Sequence, residues 1–277
     1  MDYTKTLARW ATGVDGFVIG DDVLAKSAEF VLDWAGAALA GSVRPQAGML
    51  YGIVRENAPP IGPCTILNGS LDRTSELWAA FQNGFNGHIM EMDDVHRGAV
   101  FHPGTVVIPA TLAVGQKLGV DGRKFLTSIA VGYEVGIRVG TAAGATHYTR
   151  WHTTGTCATF GACAAVGYLL GLTPEQMAWA LGNAGSQAAG LWQFLDDGAM
   201  TKPLHSGKAA MNGLLAALAA KNGFTGPDNI LEGRKGFLAA TSLDAKPSAL
   251  TEGLGERWQL MDVSIKPYAS CRHSHPQ

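Results

Sequence analysis

The side chains best suited to chemistry are gathered in four short polar segments of the chain. The densest segment spans residues 86–104 and holds three histidines, three carboxylates and an arginine: His88, Glu91, Asp93, Asp94, His96, Arg97 and His102. Histidine titrates near neutral pH, so this composition is typical of acid–base catalysis. A metal-dependent hydrolase that uses His88, His96 and His102 is an alternative. The segment has neither the HxxxH nor the HExxH spacing of metal-binding helices, and we expect no metal here.

The other three segments each lie at or near the predicted start of a helix or the end of the chain: residues 151–156, 201–208 and 266–276. In the first, His152 is followed by Thr153 and Thr154. Threonine is a common helix cap, but hydroxyls beside the free N–H groups of a helix start can also bind an anion. In the second, Lys202 precedes a proline and is therefore expected in a loop. Together the segments predict a cationic, hydroxyl-rich site for a small polycarboxylate.

Helices must position these segments, because apolar residues recur with helical spacing along most of the chain. We predict helices over residues 4–14, 21–40, 45–55, 74–86, 105–118, 122–146, 156–170, 175–187 and 205–222, and extended stretches over 63–67 and 258–268. No alternation of strands and helices indicates a parallel sheet. The predicted fold class is therefore mostly α.

Alanine and glycine are unusually abundant, with 40 Ala and 36 Gly in 277 residues. Gly132, Gly136 and Gly140 recur on one predicted helix, and Gly161 and Ala165 lie on another. Small residues at such spacing allow two helices to approach closely. We expect this packing to account for most of the glycines.

The overall composition excludes several classes of protein. A formal net charge of −2 without any basic block argues against partners such as nucleic acid or a membrane surface. The apolar stretch over residues 157–172 has 16 residues, and about 20 are needed to span a bilayer. We interpret it as a buried core helix. Four scattered cysteines do not form a disulfide framework, which favours a reducing compartment, and we expect a cytoplasmic protein.

Several motifs resemble one known family. Asn83-Gly84, His88, Asp93-Asp94 and His102-Pro103-Gly104 are similar to the corresponding segment of the MmgE/PrpD family, which includes 2-methylcitrate dehydratase, cis-aconitate decarboxylase and iminodisuccinate epimerase. Further similar segments follow in the family's order: Gly132-Tyr133-Glu134-Val135, Trp151-His152-Thr153-Thr154-Gly155-Thr156, Thr201-Lys202-Pro203-Leu204-His205, Gly207-Lys208-Ala209-Ala210 and Lys266-Pro267-Tyr268. Each segment is weak alone, but their order along nearly the whole chain is specific.

The resemblance implies a large all-helical main domain, a smaller α+β lid, a homodimer, no metal or organic cofactor, and a pocket between the domains. On this basis residues 1–257 form the helical domain, and residues 258–277 begin a lid that is incomplete because the chain stops inside a lid motif. The site residues then follow. Catalytic roles fall to His102, His152, Asp93 and Asp94, and substrate binding falls to Lys202, His275, His88 and Thr154.

The reaction that the resemblance favours is dehydration of a 2-methylcitrate-like acid by proton abstraction next to a carboxylate. Glu91 and Val95 stand where decarboxylase-like members tend to have Asp and Thr, which argues against decarboxylation and leaves the other chemistries of the family open. Two alternatives stay open. One is an epimerase acting on an iminodisuccinate-like substrate. The other is a non-catalytic helical subunit that dimerises or pairs with a second chain that supplies the lid.

Overall fold

A computed structural model describes residues 2–275, and helices dominate the described part of the chain. The α-helices are α1 Tyr3–Gly13, α2 Asp21–Ser42, α3 Pro45–Asn57, α4 Glu76–Ile89, α5 Gly104–Leu118, α6 Gly122–Tyr148, α7 Thr153–Leu169, α8 Pro174–Gln187, α9 Gln193–Asp196, α10 Lys202–Lys221 and α11 Phe237–Thr241. Short 3₁₀ helices span Pro247–Leu250, Gln259–Asp262 and Arg272–Ser274. The predicted mostly α, all-helical main domain is confirmed.

Strands are few and two residues long: β1 Cys64–Thr65, β2 Arg73–Thr74, β3 Val95–His96 and β4 Val263–Ser264. β1 pairs with β2, and β3 pairs with β4, both antiparallel. The predicted extended stretch over residues 258–268 is therefore mostly wrong, since it begins with the Gln259–Asp262 3₁₀ turn and only β4 is a strand. The alternation of its side chains reflects one short pairing with β3 in the histidine-rich segment.

The nine predicted helices are all present, with ends that differ by a few residues. One difference changes the site, because Lys202 begins α10 and does not lie in a loop. The expectation was wrong because Pro203 occupies the first turn, where the N–H group that proline lacks would have no partner within the helix. Lys202 and His205 therefore lie one turn apart on the same helix.

α7 lies at the centre of the core, with almost every residue buried. A Cβ added to Gly132 of α6 would lie 2.8 Å from the carbonyl oxygen of Gly161 in α7, and one added to Gly161 would lie 2.7 Å from that of Gly132. Only glycine permits this separation, so the predicted close packing is confirmed. Among the described residues no helix combines the length and the hydropathy needed to cross a membrane.

A buried ion pair fastens the later part of the chain to α6. Arg138 donates to Glu134 over 2.7 Å and to the carbonyl oxygen of Glu252 over 2.7 Å, and the other Glu134 oxygen accepts from the Gln259 backbone N–H over 2.6 Å. Residues 258–275 thus run against the helical domain. The division into two domains between residues 257 and 258 stays a prediction.

Candidate active site

Four imidazole rings form a row where the ends of four helices meet. The centroids of neighbouring rings are 5.3 Å apart for His102 and His88, 5.5 Å for His88 and His152, and 5.4 Å for His152 and His205. His88 lies in the last turn of α4, His152 is the residue before α7, and His205 lies in the first turn of α10. His102 lies just before α5. The polar segments recognised in the sequence therefore converge at one place.

His102 has a defined protonation pattern. Its Nδ1 lies 2.6 Å from the backbone carbonyl oxygen of Asp94. A carbonyl oxygen can only accept, so Nδ1 carries the proton and a neutral His102 has its lone pair on Nε2. Burial lowers the pKa of His102 to about 4, which keeps the ring neutral at physiological pH. The side chain is 13% exposed, so His102 is a candidate general base.

Thr154 holds the backbone of His102 in place. Its hydroxyl oxygen accepts a hydrogen bond from the backbone N–H of His102 over 3.2 Å, and its side chain is fully buried. The hydroxyl proton remains available to a further acceptor. Thr154 therefore joins the start of α7 to the start of α5.

His88 and Asp93 form a buried pair. His88 Nδ1 lies 2.7 Å from Asp93 Oδ2, and both side chains are at most 1% exposed. Burial alone would raise the pKa of Asp93, but the rings of His88 and His102 and the ammonium of Lys266 hold it well below its usual range. The other ring nitrogen of His88, Nε2, is enclosed and has no hydrogen-bond partner among the described residues. Asp93 is thus a fixed negative charge in the site.

Lys266 brings a second charge to this pair from the end of the chain. Its side chain is almost fully buried, and Nζ lies 3.7 Å from Asp93 Oδ1 and 3.4 Å from the carbonyl oxygen of Ser270. The same carbonyl lies 3.2 Å from His275 Nε2. His275 is therefore connected to the site through Ser270 and Lys266 and makes no direct contact with the four-histidine row.

Asp94 lies in a different environment from its neighbour in the sequence. Its carboxyl accepts hydrogen bonds from the hydroxyl of Tyr133 over 2.7 Å and from the backbone N–H of Gly104 over 2.9 Å. Burial, reinforced by the charges of Asp93 and Asp33, nevertheless raises the pKa of Asp94 to about 8. Two adjacent aspartates therefore differ in charge at neutral pH, with Asp93 ionised and Asp94 protonated.

Lys202 forms an ion pair with Glu91, with 2.5 Å between Nζ and Oε1. The pair is about four-fifths buried, and in the described part of the chain the second Glu91 oxygen is enclosed without a hydrogen-bond partner. Burial opposes ionisation of Glu91, but His88 and Lys202 hold its pKa below the usual value. Glu91 has a φ of 54°, an uncommon conformation for a residue other than glycine. The ammonium is thus held by one carboxylate at the edge of the site.

Aromatic rings close one side of the row. Trp192 and Phe194 pack against His152, with centroids 4.8 and 6.4 Å away. Burial, together with the charges of His88 and Lys202, lowers the pKa of His152 well below the usual value. A cavity of about 550 Å³ lies beside Trp192 and is lined also by Tyr148 and Arg150. None of the four histidines lines this cavity, so it adjoins the site only through Trp192.

The structure thus gathers seven of the eight predicted site residues into one cluster and links the eighth, His275, through Ser270 and Lys266. Four other residues of the site have no role predicted from the sequence: His205, Lys266, Tyr133 and Asp33. His205 could have been found from its spacing to Lys202 if Lys202 had been placed in a helix. In the described part of the chain no group of three or more His, Cys, Asp or Glu side chains is arranged to hold a metal ion. The Nδ1 of His96 instead accepts from the backbone N–H of Ala99.

Comparison with known proteins identifies the family of the chain. Residues 5–250 match the family model of the MmgE/PrpD N-terminal domain. The chain is 32% identical to a cis-aconitate decarboxylase-like protein of Aspergillus oryzae, over 99% of this chain and 60% of that protein. It is 31% identical to the cis-aconitate decarboxylase of Aspergillus terreus, over 98% and 58%, and 28% identical to that of Homo sapiens, over 96% and 56%. The chain spans about three-fifths of the length of these relatives. The family resemblance noted in the sequence is thereby confirmed, and the chain belongs to the MmgE/PrpD family.

Proposed function

We propose that this protein is a lyase for a small di- or tricarboxylate, and that it works by proton transfer next to a substrate carboxylate without a metal or organic cofactor. The observation that supports this most directly is the hydrogen bond between His102 Nδ1 and the Asp94 carbonyl oxygen, which leaves the lone pair of the neutral ring on Nε2. A neutral imidazole with a free lone pair, in a site that also holds two lysines, is suited to proton abstraction from carbon.

In this proposal His102 Nε2 takes a proton from the carbon next to a substrate carboxylate. The electron pair of the broken C–H bond then moves toward that carboxylate and gives an enolate-like state. Asp93 Oδ2 lies 3.8 Å from His102 Nδ1 and would stabilise the imidazolium. Because Asp94 stays protonated beside the ionised Asp93, it adds no further negative charge behind the base.

Lys202 is the group that we propose for binding a substrate carboxylate. Its ammonium already pairs with the Glu91 carboxylate over 2.5 Å, so its surroundings accommodate an anion. A substrate carboxylate would take the place of Glu91 or share the ammonium with it. Thr154 can donate its hydroxyl proton to the substrate. We place His88 and His275 at the edge of the binding site, as the resemblance implies.

His152 is the second group of the acid–base machinery. In a dehydration the enolate-like state expels hydroxide, and the His102 imidazolium returns the proton that it has taken, which makes water. The neutral His152 hydrogen-bonds the leaving oxygen through Nε2. In a decarboxylation carbon dioxide leaves, and the carbanion takes its proton from a histidine. Both reactions need the same positive surroundings, so the site supports the lyase class without selecting one of the two.

Two candidate reactions follow. The names of the relatives favour decarboxylation of cis-aconitate, whereas Glu91 argues against decarboxylation and so leaves dehydration of a 2-methylcitrate-like acid as the second candidate. The test is a panel of cis-aconitate, 2-methylcitrate and iminodisuccinate, assayed for release of carbon dioxide, for the unsaturated product and for change of optical rotation. Turnover of one acid by either lyase reaction supports the proposal. Change of optical rotation without release of carbon dioxide or water identifies an epimerase and refutes it.

The site assignment is tested by His102→Asn and Lys202→Met. Asn can still donate to the Asp94 carbonyl but has no basic nitrogen, and we expect turnover to fall by about 10²–10⁴-fold. Met keeps the length of Lys202 without its charge and should mainly raise KM. Lys117→Met is the matched control, because Lys117 also pairs with a glutamate over 2.5 Å but lies on the exposed face of α5. Turnover that stays within a few-fold for both site variants would contradict the assignment.

Three further properties stay proposals. Elemental analysis of active protein should find no stoichiometric zinc, manganese or iron, and dialysis against a chelator should leave turnover unchanged. Light scattering should give the mass of a homodimer. An inactive chain that gains activity with a second chain would support the alternative of a lid supplied in trans. The expected cytoplasmic location would be tested by cell fractionation.

A further inference from the structure

We propose that His205 is a positioning residue that holds His152 in a single neutral tautomer. This inference rests on the proposed function only in that it gives His152 an acid–base role. The contact that carries it joins the two rings directly, since His152 Nδ1 lies 3.1 Å from His205 Nδ1 and both atoms are buried.

A hydrogen bond between two imidazole nitrogens restricts both rings. A neutral imidazole has one N–H donor and one lone pair, so one Nδ1 must donate and the other must accept. Whether His152 Nδ1 donates or accepts in this bond then decides what its Nε2 offers, a lone pair if Nδ1 donates and an N–H if Nδ1 accepts. This choice sets what a substrate would meet at Nε2.

The backbone of His152 is also held by a hydrogen bond. The N–H of His152 donates to the carbonyl oxygen of Gly190 over 2.9 Å. His152 is therefore held by its main chain on one side and by Nδ1 on the other, and the ring has little freedom to rotate. Trp192 packs against the remaining face, with 4.8 Å between centroids.

His205 lies in a slot that two glycines create. A Cβ on Gly155 would lie 3.0 Å from His205 Cβ, and a Cβ on Gly190 would lie 3.1 Å from His205 Nδ1. Gly190 also has a φ of 156°, at the limit of what other residues adopt. Phe194 packs edge-on against the ring at 5.5 Å. The slot fixes the orientation of the His205 ring, so that its Nδ1 faces His152.

The electrostatic surroundings keep both rings neutral, as a tautomer lock requires. Burial, with contributions from Lys208 and His88, lowers the pKa of His205 to about 4. His152 faces Lys202, His88, His102 and His205, all of which lower its pKa further. Neither ring is charged at physiological pH, so the bond joins two neutral imidazoles.

The test is NMR of the whole protein with ¹⁵N-labelled histidine rings, with the His152 signals assigned from His152→Gln. In the wild type we expect the two His152 nitrogens to show the well-separated shifts of one tautomer. In His205→Phe, which keeps a ring but removes the nitrogen, the shifts should move toward an average of both tautomers. His205→Asn, whose amide can occupy the position of Nδ1, should restore the separation.

Two controls keep the result interpretable. His147→Phe removes another buried histidine, one that bonds Thr156 over 2.8 Å and is not part of the four-histidine row, and it should leave the His152 shifts unchanged. If His205→Phe does not fold, Gly190→Ala displaces the His205 ring while keeping it, and the same averaging is expected. His152 shifts that are unchanged in every folded His205 or Gly190 variant would overturn the inference.

Turnover separates this inference from the proposed function. If the protein is active, His205→Phe should lower kcat by roughly tenfold to hundredfold, a part of the 10²–10⁴-fold effect of acid–base catalysis, and change KM only a few-fold. His205→Asn should recover most of this loss. If the NMR shifts respond as expected but no acid of the panel is consumed, the positioning role stands and the proposed function falls.

Discussion

Replacing Asp94 by Asn tests whether this buried carboxyl is protonated in the folded protein. The pKa of Asp94 is raised from 3.8 to about 8, chiefly by burial. An asparagine has the shape of a protonated aspartate. Its oxygen can accept from the Gly104 N–H, and its amide can donate to the Tyr133 oxygen. The change therefore removes a titration while both hydrogen bonds keep a partner.

The sign of the effect follows from the pKa of Asp94 in the folded and unfolded protein. The unfolded chain releases the Asp94 proton near pH 4, whereas the folded protein keeps it until about pH 8. Stability from this group is thus fully present below about pH 4 and is lost as the pH rises toward 8. Each pH unit costs about 1.4 kcal/mol, so the loss by about pH 7 is at most about 4 kcal/mol. Asp94→Asn does not suffer this loss.

The assay is urea unfolding of the wild type and Asp94→Asn at several pH values between about 5 and 8. The difference in the free energy of unfolding should shift in favour of the variant by about 1.4 kcal/mol for each pH unit from pH 5 to 7, and the shift should level off near pH 8. All other titrating groups are common to both proteins and cancel in the difference. Asp22→Asn, at an exposed position of α2, controls for the change of charge. A difference that is independent of pH, or that favours the wild type increasingly, would refute the reasoning and show Asp94 to be ionised.

Three further outcomes are expected. Gly161→Ala should destabilise the fold by about 1–3 kcal/mol, because its Cβ would lie 2.7 Å from the carbonyl oxygen of Gly132. Gly36→Ala, with open space around it, should instead stabilise α2 by about 0.5–1 kcal/mol. Thermal unfolding of the two variants measures both effects. Glu134→Gln should destabilise by roughly 3 kcal/mol because Arg138 is left buried without a counter-charge, and hydrogen exchange should show residues 249–259 loosened first. The acid limb of kcat/KM should lie near pH 4 and not near 6.5, since burial lowers the pKa of His102 and only the neutral ring can accept a proton; an acid limb near 6.5 would exclude His102 as the base.

The helices could be predicted because each depends on its own segment of sequence. α8 illustrates this, with Thr173 as a cap, Pro174 in the first position and Gln176 completing the capping box. The boundaries of α10 could not be predicted from the Lys202-Pro203 pair alone, because proline is unfavourable inside a helix and favourable in its first turn.

Most residues of the site could be predicted from the sequence, but their protonation states could not. Sequence order and motif matches selected His102, His152, Asp93 and Asp94, because the chemistry that these side chains offer is intrinsic to them. The different protonation states of Asp93 and Asp94 could not be read from two neighbouring aspartates. They depend on His88 and Lys266 around the first, and on burial beside Tyr133 around the second.

What the sequence by itself determined was the helical fold, the family and the polar segments from which the site is built. The tertiary structure alone decided which nitrogen of His102 carries the proton, that His205 faces His152, and that Lys266 reaches Asp93. The physical reason is that tautomers and pKa values depend on desolvation and on contacts between groups far apart in the chain. Such contacts exist only once the helices have packed.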